Sequence, residues 1–161
     1  GFRGHFGDSD LTYDFGVVQF LYPGDRPAGV VDADTSEANA ALGWRWLTLK
    51  YSYDFSSGAL GFADARGSAY LEVGAAVPFG KTGLTGLAHW GTYRFENHEA
   101  QDYDDLRVGI TYDLGKASTL AAGVTLGVAY TDTDADPGVW TDANGADLGS
   151  STTTVWISRT F

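Results

Sequence analysis

The sequence of 161 residues has no cysteine and no methionine, and its 21 acidic residues outnumber its 10 basic ones. The absence of cysteine excludes a disulfide framework, a thiolate metal site and a thiol nucleophile. The formal net charge of -11 argues against nucleic acid as a partner, because phosphate backbones are bound by Lys and Arg. No apolar run reaches about 18 residues, so the sequence predicts no transmembrane helix.

The sequence has instead 22 glycines, 14% aromatic residues and apolar residues that recur at every second position. Period two predicts strands with two unlike faces, and helical spacing fits none of these stretches. Eight predicted strands begin near Leu11, Ala38, Leu47, Ala69, Leu84, Leu106, Leu120 and Thr153. Between Leu84 and Phe95 two sets of residues compete for the apolar face, so the lipid-facing register of that strand stays open. We therefore expect one all-β domain over residues 1–161.

The predicted connections alternate between short and long. The long ones cover 23–35, 56–67, 97–102 and 132–150, whereas the short ones lie near Gly7, Gly43, Gly80 and Leu114. Outer-membrane β-barrels show this asymmetry, with tight periplasmic turns and longer extracellular loops. Aromatic residues also collect near strand ends, as two interfacial girdles would. They are Trp44 and Trp46 on the short-turn side and Tyr22, Tyr53, Phe55, Tyr93, Phe95 and Tyr130 on the long-loop side.

The same alternation also suits a soluble barrel of the lipocalin or avidin type, whose apolar face points inward. Three features favour an antiparallel up-and-down transmembrane β-barrel over that alternative. They are the loop asymmetry, the Gly- and Ala-rich polar face, and the aromatic residue Phe161 at the end of the last strand. In a membrane barrel Phe161 would sit at the periplasmic interface, and Arg159 could snorkel toward lipid head groups.

The polar faces of such strands would line a lumen. The charged candidates for that lining are Asp10, Asp14, Glu37, Lys50, Asp54, Glu72, Asp105, Arg107 and Asp113. Because acids outnumber bases among them, we expect a channel for passive diffusion of small hydrophilic solutes or ions, with mild cation preference. Two alternatives stay open. The charges could pair across a filled interior, as Lys50 and Arg107 could with neighbouring acids, or the barrel could be structural or adhesive and act through its extracellular loops.

Catalytic and metal-binding patterns are weak. His5, His89 and His98 are scattered and lack ligand spacing, and nothing brings a serine nucleophile together with a histidine. The segment DTDAD at 132–136 lacks the glycine and distal glutamate of a calcium loop, so we interpret it as a solvated acidic loop, with weak divalent-cation binding as the alternative. We expect no catalytic residues, no metal ligands, no cofactor and no enzymatic activity.

Several segments, taken together, resemble the TorF-type porin family of Gram-negative bacteria. They are LTYDFGVVQFLYPGD, LTLKYSYDF, SAYLEVGAAVPF, YDDLRVGITYDLG, VAYTDTDAD and the ending ISRTF. The resemblance covers nearly the whole chain in the same order and is to the C-terminal two-thirds of that family. It implies an outer-membrane barrel with pore activity and about twelve strands, three or four of which precede Gly1, where GFRGHFGD is similar to the end of a strand.

The resemblance also implies partners. Barrels of this kind end on a strand with a terminal aromatic residue, which the outer-membrane assembly machinery reads, so Phe161 is the expected assembly signal. Outer-membrane lipid and small solutes or ions are the other expected partners. The oligomeric state stays open, with a homo-oligomer among the alternatives.

Overall fold

The computed structural model describes residues 1–25 and 29–160. Its strands, in chain order, are β1 (Phe2–His5), β2 (Leu11–Phe20), β3 (Thr35–Trp44), β4 (Leu47–Asp54), β5 (Ala69–Pro78), β6 (Leu84–Arg94), β7 (Tyr103–Asp113), β8 (Val124–Thr133) and β9 (Thr152–Arg159). They form a single sheet in the order β1 to β9, and each strand runs antiparallel to its neighbours. The chain is therefore all-β with up-and-down topology, as the alternation predicts.

The sheet has one strand more than the eight predicted from the alternation. The opening segment forms the short strand β1, in which Phe2 lies opposite Phe15 and His5 lies opposite Thr12 of β2. In the described part of the chain, β1 pairs only with β2 and β9 pairs only with β8. The sheet is thus open at both edges.

The predicted alternation of short and long connections holds from β1 to β6, but the predicted short connection near Leu114 covers 114–123 and is longer than the connection 95–102 that precedes it. Short connections join β1 to β2, β3 to β4 and β5 to β6, whereas long ones join β2 to β3, β4 to β5 and β8 to β9. In the two-residue turn between β3 and β4, Arg45 adopts a positive φ of 54°. Its Nε lies 2.9 Å from Asp10 Oδ2, which ties this turn to the neighbouring one.

The predicted start of the strand that forms β8 is wrong. The alternation suggested a strand from Leu120, but Leu114–Lys116 and Thr119–Ala121 form 3-10 turns and β8 begins at Val124. The Ser118 side chain accepts a hydrogen bond from the backbone N–H of Leu120, which stabilises the second of these turns. In the parts of the chain that the structure describes, no helix has the length and apolar character needed to cross a membrane.

Most of the fully buried residues among those described lie at the long loops, whereas Ala129 is buried within β8. Thr35 starts β3, Asp54 ends β4, and Ser68 precedes β5, while Ala59 and Ala65 belong to the loop between β4 and β5. The backbone N–H of Asp54 donates to the Ser68 carbonyl, and that of Gly67 donates to the Asp54 carbonyl, each at 2.9 Å. We call this end of the sheet the long-loop end.

Candidate functional site

The pairing register brings most of the predicted lumen residues onto one face of the sheet. Lys50 lies opposite Glu72, Glu72 lies opposite Gly91, and Gly91 lies opposite Asp105. Residues directly opposite one another in antiparallel strands point to the same side. The side that carries Asp14, Glu37, Lys50, Asp54, Glu72, Asp105, Arg107 and Asp113 is called the polar face below.

The remaining candidate, Asp10, lies one residue before β2. It belongs to the short-turn end, where it forms the ion pair with Arg45. Asp113 also lies near that end, at the last position of β7, and its Oδ1 accepts a hydrogen bond from the Gly115 N–H at 2.9 Å. These two acids therefore lie at the edge of the polar face.

The opposite side of the sheet, called the apolar face below, is exposed. Leu49 is 46% exposed and Val108 is 44% exposed, whereas Ser52 and Asp54 on the polar face are 5% and 2% exposed. The other exposed residues of the apolar face include Val17, Leu42, Tyr51, Val73, Trp90, Leu106, Ile110, Leu126, Val128, Val155 and Ile157. This distribution is the reverse of that in a water-soluble domain, where buried side chains are mostly apolar.

The total accessible surface supports the same conclusion. It is 10400 Å² for a chain of 17.2 kDa, whereas a compact monomeric protein of that mass exposes about 7,800 Å². The excess arises because neither the apolar face nor the sheet edges are covered. A contiguous exposed apolar surface of this kind normally contacts lipid or another protein.

A connected polar network occupies the middle of the polar face, across β4 to β7. Lys50 Nζ lies 3.1 Å from Glu72 Oε1, and Glu72 Oε2 lies 3.6 Å from His89 Nδ1. On the other side of the imidazole, His89 Nε2 lies 2.9 Å from Asp105 Oδ1. The Tyr70 hydroxyl donates to Asp105 Oδ2 at 2.7 Å and lies 3.0 Å from His89 Nε2. These contacts join the five residues into one network, in which only the contact between Glu72 and His89 is longer than a hydrogen bond.

Glycine at position 91 makes this network sterically feasible. Gly91 lies on β6 between Glu72 of β5 and Asp105 of β7. A Cβ at this position would overlap the Tyr70 hydroxyl and would lie 2.7 Å from Asp105 Oδ2. The missing side chain therefore lets Tyr70 of β5 reach across β6 to Asp105 of β7.

The two predicted basic residues behave differently. Lys50 pairs with an acid, as the alternative of a charge-paired interior expected. The Arg107 guanidinium instead lies over the ring of Trp156, 5.3 Å from its centroid. A cation above an aromatic face is attracted by the ring quadrupole.

A pair of acids lies toward the long-loop end of the polar face. Glu37 is directly opposite Asp54 in the register of β3 and β4. The Tyr93 hydroxyl donates to Asp54 Oδ2, while Asp54 Oδ1 has no hydrogen-bond partner among the described residues. Two carboxyl groups are therefore held close together here, one of them at a nearly buried position.

The sequence pattern missed several residues of this face. Tyr70, His89 and Trp156 join the contacts above, and Arg3 of β1 lies 3.6 Å from Asp14. The histidines are scattered in the sequence and lack ligand spacing, and His89 was not among the predicted lumen residues. His89 lies directly opposite Arg107 and therefore belongs to the polar face. The sequence did not show this, because it left open which residues between Leu84 and Phe95 belong to which face.

Chemically, the face is a charged surface with an excess of acid. The nine predicted residues comprise seven acids and two bases, and Arg3 adds a third base. No group of three or more His, Asp or Glu residues within 1–25 and 29–160 is placed to hold a metal ion. The charges of this face are therefore spread over several strands and are not gathered at one point.

The polar face, the exposed apolar face and the meander topology define a class of protein: an amphipathic antiparallel sheet with its polar side chains toward the more buried side. The family model described as "Bacterial protein of unknown function (Gcw_chp)" matches residues 1–161, so the chain belongs to that family. No curated protein matches the chain. No solved structure matches it.

Proposed function

We propose that this chain forms the wall of an outer-membrane β-barrel in a Gram-negative bacterium and that its polar face lines a channel. The channel allows passive diffusion of small hydrophilic solutes or ions and prefers cations. The observation that carries the proposal is the reversed distribution of side chains: the apolar face is exposed, whereas Asp54 and Ser52 on the polar face are buried. In a membrane barrel that distribution is favourable, because lipid covers the apolar face.

Strand length is compatible with this environment. Strands β2 to β9 are 8 to 11 residues long, and a tilted strand needs about 9–11 residues to cross the hydrocarbon core. If the sheet closed in water with its polar face inward, Leu49, Val108 and their neighbours would face solvent and the charged network would be enclosed. Burying that network without an aqueous lumen would cost free energy at every unneutralised carboxylate.

Closure of the barrel imposes a condition on strand number. Neighbouring strands alternate in direction, so the first and ninth strands of this meander run the same way. Antiparallel closure in lipid therefore needs an odd number of further strands between β9 and β1, because unpaired backbone groups are not tolerated there. Three further strands would give the twelve that the resemblance implies.

Cation preference follows from the charges on the polar face. Glu37, Asp54, Glu72 and Asp105 lie on four different strands of the sheet, whereas Lys50 is paired with one of these acids. Rings of carboxylates along a pore attract cations and repel anions. We expect the central network around Glu72 to make the largest contribution to cation preference, because Glu72 lies in the middle of β5.

The test is electrical recording of the full-length protein after refolding into planar lipid bilayers. We expect discrete conductance steps and, under a KCl gradient, a reversal potential of the sign that cation preference gives. Glu72→Gln should move the reversal potential toward zero. Asp104→Asn is the matched control, because Asp104 alternates with Asp105 and therefore belongs to the opposite face of β7, and it should leave the reversal potential unchanged. Silence at every voltage would refute the channel.

A structural or adhesive barrel that acts through its loops is the second candidate. It is favoured by the order of the long loops, which contact one another through side-chain hydrogen bonds such as that from Asn97 to the Asp64 carbonyl at 2.9 Å. Electrical silence together with a correctly folded protein that binds cells or lipid through these loops would support it over the channel.

A further inference from the structure

Five aromatic side chains form one cluster at the long-loop end. Tyr93 and Phe95 stack with ring centroids 4.2 Å apart, and Tyr93 lies 5.7 Å from Tyr103. Trp140 contacts Phe95 at 5.9 Å and Tyr103 at 5.7 Å, and Phe62 lies 5.4 Å from Phe95 and 6.0 Å from Trp140. We call these five residues the aromatic cluster.

The cluster lies on the polar side of the sheet. Tyr93 and Tyr103 are opposite each other in the register of β6 and β7, on the same face as Asp105. Phe95 follows β6 and is only 3% exposed. The prediction that Tyr93 and Phe95 belong to an exposed girdle is therefore wrong, whereas Tyr53 and Tyr130 of that set are exposed.

Three loops contribute to the cluster and are tied together. Phe62 comes from the loop between β4 and β5, Phe95 begins the loop between β6 and β7, and Trp140 comes from the loop between β8 and β9. His98 Nε2 lies 2.6 Å from the Ala63 carbonyl oxygen, which joins the first loop to the second. The Trp140 indole N–H donates to the Gln101 carbonyl at 3.1 Å, which joins the second loop to the third.

The third loop is ordered locally as well. The Asp142 carboxylate accepts hydrogen bonds from the backbone N–H groups of Ala146 and Asn144, each at 2.8 Å. These bonds to Ala146 and Asn144 hold the pKa of Asp142 below its usual range. The backbone N–H of Leu148 donates to the Trp140 carbonyl at 2.9 Å. Trp140 is thus held by the loop that carries it and by the Gln101 carbonyl.

We infer that the aromatic cluster is the constriction of the proposed channel and sets its size limit. The inference rests on the proposed function and adds the class of solute: hydrated inorganic cations and solutes of a few heavy atoms pass, whereas oligosaccharides do not. The physical reason is that the polar face ends beneath aromatic rings packed at van der Waals distance and fixed by hydrogen bonds between loops. Rings of this size do not part without breaking those contacts.

The test removes one ring and measures the size limit. Trp140→Ala should raise the single-channel conductance several-fold and should allow raffinose to enter in a liposome-swelling assay that excludes it for the unaltered protein. Tyr53→Ala is the matched control, because Tyr53 is an aromatic residue near the same end of the sheet but on the apolar face. The control should change neither readout.

A double-cysteine variant tests whether contact between the loops limits the conductance, and here we expect the conductance to fall. The chain has no native cysteine, so Phe62→Cys and Trp140→Cys can be combined and joined by a short bifunctional thiol reagent. Joining should lower the conductance, and reductive release of a cleavable reagent should restore it.

The outcomes separate the two proposals. A conducting Trp140→Ala channel that excludes raffinose as before would overturn the constriction alone, and so would passage of raffinose through the unaltered protein. Silence of every form at every voltage would overturn the channel and the constriction with it.

Discussion

Leu49→Arg tests whether the apolar face meets lipid or water. Leu49 lies on β4 between Leu42 of β3 and Val73 of β5, which are its direct partners in the register. Val73 lies in the middle of β5, so Leu49 is near the centre of the sheet in the strand direction. Its side chain is 46% exposed and belongs to the apolar face.

The two environments predict different costs. In lipid, a cationic side chain near the bilayer midplane costs about 2 to 4 kcal/mol of barrel stability. In water, the same change at a half-exposed position away from special features alters stability by about 0.5 kcal/mol or less. The gap between these values is larger than the error of an unfolding measurement.

Thr48→Arg is the matched control on the polar face. Thr48 lies opposite Gly43 and Gly74, neither of which offers a side chain to displace. An arginine there would extend over the polar surface, and its cost should stay near about 0.5 kcal/mol. We expect this variant to change the conductance more than the stability.

The assay is reversible urea unfolding of each variant after refolding into phospholipid bilayers, with the free energy of unfolding taken from the midpoint and slope. The reasoning would be refuted if Leu49→Arg and Thr48→Arg destabilised the protein equally. A cost for Leu49→Arg indistinguishable from zero would also refute it, since the apolar face would then be facing water.

Two further predictions concern the central network and the topology. In the same assay, Gly91→Ala should lower the free energy of unfolding by about 1 to 3 kcal/mol, because the added Cβ would collide with the Tyr70 hydroxyl. Gly74→Ala is the control and should leave the stability unchanged, because a Cβ at that position meets open space. Equal stability of the two variants would contradict the network. Ala143→Cys, in an exposed part of the loop between β8 and β9, should react with a membrane-impermeant thiol reagent on whole cells, whereas Lys81→Cys, in the turn between β5 and β6, should not. The reverse labelling would overturn the proposed orientation.

The strands themselves could be predicted from the sequence because period two is a local property. Five residues in alternation, such as Leu47 to Tyr51, are enough to define two unlike faces, whatever the strand pairs with. The alternation of short and long connections is equally local. Most predicted lumen residues, Glu72 and Asp105 among them, therefore lie on the expected face.

Local alternation misleads where small residues continue beyond the strand. Leu120 and Ala122 extend the apolar pattern of β8, yet Leu120 is in a 3-10 turn whose backbone is held by Ser118. Gly123, with φ of 77°, then redirects the chain into the strand. The hydrogen bonds of the turn outweigh a pattern that carries little β propensity when the side chains are small.

Two predicted features lie wholly or partly outside the residues that the structure describes. Phe161, the expected assembly signal, is outside the described residues, as is part of the loop predicted at 23–35. The proposals of outer-membrane location, lipid and assembly partners, and absence of enzymatic activity stay predictions.

What the sequence by itself determined is most of the strands, the two faces of all but one of these, and the order in which they follow one another, because each depends on residues a few positions apart. What only the tertiary structure decided depends on residues far apart in the chain. The faces of β6, which the sequence left open, follow from its pairing with β5 and β7. Trp90 lies opposite Val73 and Leu106 on the apolar face, so the neighbouring residue His89 points to the polar face and joins the network there. Phe62 and Trp140 meet only because antiparallel pairing brings alternate loops to one end of the sheet, where side-chain hydrogen bonds hold them together.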